Sequence, residues 1–137
     1  MYRLTYTLLP VIIFLLLTGC TLQSKDDSTV SGMITYRERI ALPDDANVQV
    51  QLQDASLQDV AADILSEQVY QTNGKQVPLP FEVGYEPDDI KSNHTYHIQV
   101  RITDASGKLL FITTTAHPVI TNDAPTQDVE ILVEKVN

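Results

Sequence analysis

The run Asn47-Val48-Gln49-Val50-Gln51-Leu52-Gln53 alternates polar and apolar residues without a break. Successive side chains of a strand point to opposite faces, so Val48, Val50 and Leu52 turn to a core and the glutamines to water. Residues 95–102 repeat the rule, with Tyr96, Ile98, Val100 and Ile102 inward. Val77, Leu79, Phe81, Val83 and Tyr85 share one parity, while Pro78, Pro80, Glu82 and Gly84 share the other. Proline cannot donate to a central ladder, so this segment is expected as an edge strand or an irregular extended one, leaving one edge poorly protected by hydrogen bonding. Ile34 and Tyr36 mark a first strand, Asp63 to Gln71 a third, and Val129, Ile131 and Val133 a last one.

Turn signals separate the runs. Asn73-Gly74 is a strong two-residue turn, residues 104–108 read as a hairpin loop, and Asn122-Asp123-Ala124-Pro125 as the last loop. Leu57, Val60, Ala61 and Ile64 have helical spacing behind Ser56, a residue able to cap a helix. A loop leading into the third strand is preferred there. Residues 86–90 read as one helical turn. Strands at intervals of about 8–12 residues predict an all-β fold. The expected architecture is a single antiparallel β-sandwich of about seven or eight strands, immunoglobulin- or transthyretin-like, over residues 30–137.

The N-terminus breaks this pattern. Arg3 precedes an apolar run from Leu8 to Leu17, followed by Thr18, Gly19 and Cys20. At 1.5 Å per residue the run spans roughly 15 Å, half of a ~30 Å bilayer core. It reads as a cleaved secretory signal over residues 1–19. Leu17-Thr18-Gly19-Cys20 resembles a bacterial lipobox, in which the cysteine thiol takes up a diacylglycerol, the chain is cut before it, and the new amino group is acylated. Two or three acyl chains anchor a protein nearly irreversibly. Residues 20–29 then form a lipidated N-terminus and a short polar tether. Thr21 stands where an aspartate, in enterobacterial lipoproteins, favours the inner membrane. The expected location is therefore the periplasmic side of the outer membrane.

Charge narrows the partners. The chain has 9 Lys and Arg against 18 Asp and Glu, a net charge of −9. Nucleic acid is excluded, because phosphate binding needs clustered cations. With a single cysteine there is no disulfide within the chain and no Cys-based zinc site. His94 and His97 lie three apart and would face opposite sides of one strand, and His117 reads as a loop residue. No GxSxG elbow, GxGxxG or phosphate loop occurs. No catalytic residue, metal or cofactor is assigned. The expected function is a non-enzymatic binding or assembly factor that contacts membrane lipid through Cys20 and an envelope protein through its domain. Arg37 and Arg39, flanking Glu38, are candidate contacts for a partner. Tyr70 and Tyr85 are two more. The alternative is binding of an envelope polysaccharide or peptidoglycan, with Tyr70 or Tyr85 as an exposed platform beside amide side chains.

Gly32, Thr35 to Pro43, Asp45-Ala46, Val48, Val50, Leu52, Asp54 and Ser56 form one part of a longer pattern. Gly74 to Pro78, Pro80-Phe81, Tyr85, Pro87 and Ile90 continue it. Tyr96, Arg101-Ile102, Gly107 to Leu109, Thr115 and Pro118-Val119 complete it. Together they resemble the YbaY-type lipoproteins, relatives of the YscW pilotins of type III secretion. The resemblance implies a small β-sandwich lipoprotein. For the pilotin branch it implies a chaperone that escorts a secretin subunit to the outer membrane and aids its assembly.

Overall fold

A computed structural model describes residues 28–137. Nine strands follow one another: β1 (Ser28–Thr35), β2 (Asn47–Asp54), β3 (Asp63–Gln71), β4 (Leu79–Tyr85), β5 (Tyr96–Thr103), β6 (Leu109–Ile112), β7 (Pro118–Val119), β8 (Val129–Leu132) and β9 (Glu134–Lys135). A single 3-10 turn, Pro87–Asp89, supplies the expected helical turn. The segment before β3 is a loop, and Ser56 caps no helix there: its backbone N–H and hydroxyl both turn back to Asp54. β1 begins at Ser28, two residues before the expected start of the domain.

The strands form two sheets. The smaller has the order β4-β1-β8, and the larger runs β3-β2-β5-β6-β9, with β7 paired to β5. The all-β sandwich expected from the alternation holds, with nine strands and one parallel pair. β1 and β8 run in the same direction, Gly32 beside Val129 and Ile34 beside Ile131. A parallel neighbour needs a crossover connection. Here the chain leaves β7 in the large sheet and crosses to the small one through residues 120–128 before laying β8 beside β1.

The inward parities read from the sequence form the core. Val48, Val50 and Leu52 of β2, Tyr96, Ile98, Val100 and Ile102 of β5, and Leu79, Phe81 and Val83 of β4 are all buried. Ile34 and Val30 from β1 and Ile131 and Val129 from β8 join the β4 residues on the inner face of the small sheet, opposite those of β2 and β5. Tyr36, just past β1, stacks on Phe111 of β6 with ring centroids 4.2 Å apart, which ties the two sheets at one end. Its hydroxyl donates to the Ile40 carbonyl at 2.6 Å and so fixes the bend that carries Arg37, Glu38 and Arg39.

The two long margins of the sandwich close differently. On one side the backbone itself passes from β8 through Val133 into β9, changing sheets, and Val133 N–H donates to Thr35 O at 2.9 Å. On the other side β3 and β4 meet without a backbone ladder. Tyr70 of β3 donates its hydroxyl to the Pro80 carbonyl at 2.7 Å, and Gln68 Oε1 accepts the Glu82 N–H at 2.9 Å. These side chains cap two outward backbone groups of β4, the Pro80 carbonyl and the Glu82 N–H. The expected weakness of the 77–83 edge is thereby corrected. Pro80 stands where the strand turns its backbone away from β1, so its missing N–H costs no ladder bond.

The seam has a measurable worth. Burial pushes the Tyr70 phenol up to about 12, so it stays a donor at every physiological pH. Tyr70→Phe and Gln68→Ala are each expected to cost about 0.5–1.5 kcal/mol, the net value of one hydrogen bond. Both should also speed amide hydrogen exchange at Glu82. Unchanged exchange at that amide would show that the seam does not protect β4.

Candidate functional site

The outer face of the small sheet carries an open recess. β1 sends Val30 and Ile34 into the core and so presents Ser31, Met33 and Thr35 outward. β4 presents Pro80 and Glu82 by the same alternation, and β8 presents Glu130. Pro78 and Asp128 extend the two sides, giving an open groove of about 650 Å³. Registers across the strands place Ser31 opposite Glu82 and Met33 opposite Glu130. β1 is therefore the floor, and β4 and β8 are the walls.

The floor is low because β1 outward residues are short, apart from Met33, which is 47% exposed. Ser31 Oγ is already engaged by Gln127 Oε1 at 2.9 Å. The walls are close because Gly32 lets β8 approach: a Cβ at Gly32 would lie 1.8 Å from the Val129 carbonyl oxygen. Met33, Pro78 and Pro80 supply apolar surface, and Glu82, Asp128 and Glu130 supply charge. No Lys or Arg is among the described residues that line the groove. Such a surface can hold an extended or helical segment by apolar contact and by charge, and it brings together no nucleophile and base.

The four candidate contacts read from the sequence do not meet at one place. Arg37 lines a separate recess with Glu38, Glu134 and Lys135, beyond the C-terminal end of β1. Arg39 is exposed on the same bend. Tyr85 pairs with Ser28 at the opposite end of β1, roughly 23 Å away at 3.3 Å per residue. Tyr70 is half-buried in the seam, with its hydroxyl spent on Pro80. Tyr70 lines a small recess beside the amide side chains Gln68, Gln71 and Asn73, and Tyr85 lines another with Ser28, Pro87 and Ile90. Leu17, Thr18, Gly19 and Cys20 lie outside the described residues.

A second polar cluster, unforeseen from the sequence, sits at the Ser28 end. Asp54, at the end of β2, approaches His94 Nδ1 at 2.5 Å and accepts from both the hydroxyl and the backbone N–H of Ser56. The Ser56 hydroxyl accepts the Thr95 N–H at 2.8 Å, and Thr121 donates to the His94 carbonyl at 2.7 Å. Serine, histidine and aspartate are all present, but the serine bonds the aspartate rather than the imidazole, so no nucleophile is activated. The cluster staples three loops together.

Burial alone would raise the Asp54 carboxyl, but the Ser56 and His94 hydrogen bonds and the imidazole charge outweigh it and hold it below its usual value. A depressed carboxyl contributes stability above its unfolded pKa, and that stability is lost as pH falls through the folded one. Urea denaturation is therefore expected to show an acid-side loss of stability that is absent from Asp54→Asn. An identical acid limb in the variant would rule out this linkage. His97 lies elsewhere, on the outer face of β5; burial, and then the nearby His117, lower its pKa.

Residues 25–131 match a family model described as "Type III secretion system lipoprotein chaperone (YscW)". The chain belongs to this family. It is 37% identical over 103 residues to "Uncharacterized lipoprotein YbaY" of Escherichia coli (strain K12), covering 75% of this chain and 54% of that protein. The chain thus spans about half the length of this curated relative. It is also similar to a solved structure described as "Structure of an alternative pilotin from the type II secretion system of Vibrio cholerae". Identity there is 43%, the TM-score is 0.71, and the match covers 79% of this chain and 97% of that one. The resemblance read from the sequence therefore holds: this is a β-rich protein of a family of lipoprotein chaperones and pilotins.

Proposed function

We propose that this protein is a lipid-anchored, pilotin-like assembly factor that holds a segment of an envelope protein on the outer face of its small sheet. The observation that carries the reading is the pairing of a capped edge with an open groove. A sheet can recognise a peptide by adding a strand at a free edge or by seating an amphipathic segment in a groove. Tyr70 and Gln68 engage the Pro80 carbonyl and the Glu82 N–H on the outward side of β4, which obstructs strand addition there. The groove beside it stays open, with Met33 exposed on its floor.

Family membership supports a chaperone role rather than catalysis. Both the matched family and the Escherichia coli relative are described as lipoproteins, which supports attachment to the envelope. Under this reading Cys20 ties the domain to the periplasmic side of the outer membrane, and the domain delivers its client to that surface.

Photo-crosslinking tests the site. A photoreactive residue at Met33 is expected to capture a discrete envelope protein in cells. The same residue at Lys108, in the exposed β5–β6 hairpin loop, is expected to capture nothing of that mass. Equal capture from both positions, or from neither, would refute groove docking.

A further inference from the structure

We infer that the occupant of the groove is a cationic amphipathic segment, one whose apolar side chains are flanked on both sides by Lys or Arg; this rests on the groove-docking reading above. Three observations converge on it. First, the charge is one-sided locally and not only overall. Glu82 stands on one wall, Asp128 and Glu130 on the other, and no basic side chain offsets them among the described lining residues. All three are exposed, and none of the ion pairs found in the described residues engages them. Carboxylates flanking a groove with apolar surface at Met33, Pro78 and Pro80 favour a positive partner and repel a negative one, which sets both specificity and the rate of encounter.

Second, the spacing fits one segment. β4 and β8 both neighbour β1. At roughly 4.8 Å between adjacent strands, the carboxylate-bearing walls stand about 10 Å apart. That is close to the diameter of a helix with its side chains. The registers stagger the carboxylates, Glu82 level with Ser31 and Glu130 level with Met33, two residues along β1. A bound segment would therefore meet negative charge on alternate flanks as it runs along the floor.

Third, the floor offers adaptable apolar contact at its middle. Met33 is unbranched and exposed, and thioether side chains repack against varied partners. Pro78 and Pro80 add rigid apolar surface on one wall without presenting a backbone N–H.

The test uses the full acylated protein in zwitterionic detergent micelles with three labelled synthetic peptides. One is a Leu-rich amphipathic sequence with Lys and Arg flanking its apolar stripe. The second has Glu in place of each cation, and the third is a scramble of the first that destroys the stripe. The first is expected to bind at least about tenfold tighter than either of the others, with affinity falling as salt rises. The triple variant Glu82→Gln, Asp128→Asn, Glu130→Gln should erase that preference. A second triple variant, Asp44→Asn, Asp45→Asn, Asp88→Asn, makes the same change in net charge at exposed positions away from the groove. It should bind the first peptide within about twofold of the parent.

Equal weakening by the two triple variants would overturn the inference, because attraction to net charge alone would then explain binding. Equal binding of the cationic and anionic peptides would overturn the charge assignment while Met33 crosslinking left the assembly role standing. Binding of none of the three, together with no crosslinked envelope protein, would overturn both.

Discussion

Gly32→Ala is expected to destabilise the domain by about 3 kcal/mol or more, a large effect for the addition of one methyl group. The reason is geometric. β1 and β8 approach so closely that a Cβ at Gly32 would lie 1.8 Å from the Val129 oxygen, 2.6 Å from its carbonyl carbon and 2.7 Å from its nitrogen. All three are backbone atoms, which cannot rotate away as a side-chain tip can. Either β8 must move off β1 and break the parallel register, or β1 must bend. In a domain of this size about 3 kcal/mol corresponds to a fall in melting temperature of roughly 12 °C. Gly84→Ala is the matched control: its Cβ would meet only the Ser28 oxygen at 3.9 Å, an ordinary contact. That variant should melt within about 2 °C of the parent. Similar melting of the two variants would show that the β1–β8 approach is not tight. Because β8 forms one wall of the groove, the damage from Gly32→Ala should extend to peptide binding, whereas Gly84→Ala should leave binding intact.

The same glycine shows what a sequence discloses and what it withholds. Period-two alternation fixed the inward residues of β2, β4 and β5, since burial on one face of a strand leaves a local signature. The third strand also fell on Asp63–Gln71, although none of its residues is fully buried and it carries no such signature. Alternation also separates Met33, Glu82 and Glu130 from their buried neighbours, so each could be read as outward-facing. Nothing local says that these three belong to one sheet and share one groove. That depends on strand order, and the parallel return of β8 beside β1 spans almost the whole length of the domain.

The crossover that makes this return possible is equally silent. It runs through Ile120, Asn122, Asp123 and Asp128, all with positive φ. Asparagine and aspartate tolerate that region, but a β-branched isoleucine at φ 73° does not advertise it. The Asp54–His94 contact joins residues forty apart, and His94 considered alone has no partner to predict. The seam was misread for a related reason. Pro80 in β4 and Pro78 just before it mark an edge correctly, but the groups that cap the edge come from β3, whose outward side chains look like ordinary surface.

Cys20→Ser is expected to abolish acylation and outer-membrane placement while leaving recognition untouched. Cys20 is the only cysteine in the chain, and it directly follows Leu17-Thr18-Gly19 at the end of the apolar run. A serine hydroxyl is far less acidic and less nucleophilic than a thiol, so it should not take up the diacylglycerol. Each buried methylene contributes about 0.8 kcal/mol to membrane binding, and two or more acyl chains give stable anchoring. The parent, extracted from membranes, should therefore give a mass for an acylated chain beginning at residue 20. The variant should give no acyl mass and no cut before residue 20, and it should be missing from the outer-membrane fraction. A Cys20→Ser protein that is still cut at that position and still held in the outer membrane would end the anchoring proposal. The same variant separates the two halves of the function. Its groove should bind the cationic peptide with unchanged affinity, because Ser31, Met33, Glu82 and Glu130 are set by the sandwich alone. Delivery of a client to the membrane should nevertheless fail. Tethering raises the effective concentration of a bound segment at the surface where it must assemble, and an untethered groove gives no such gain.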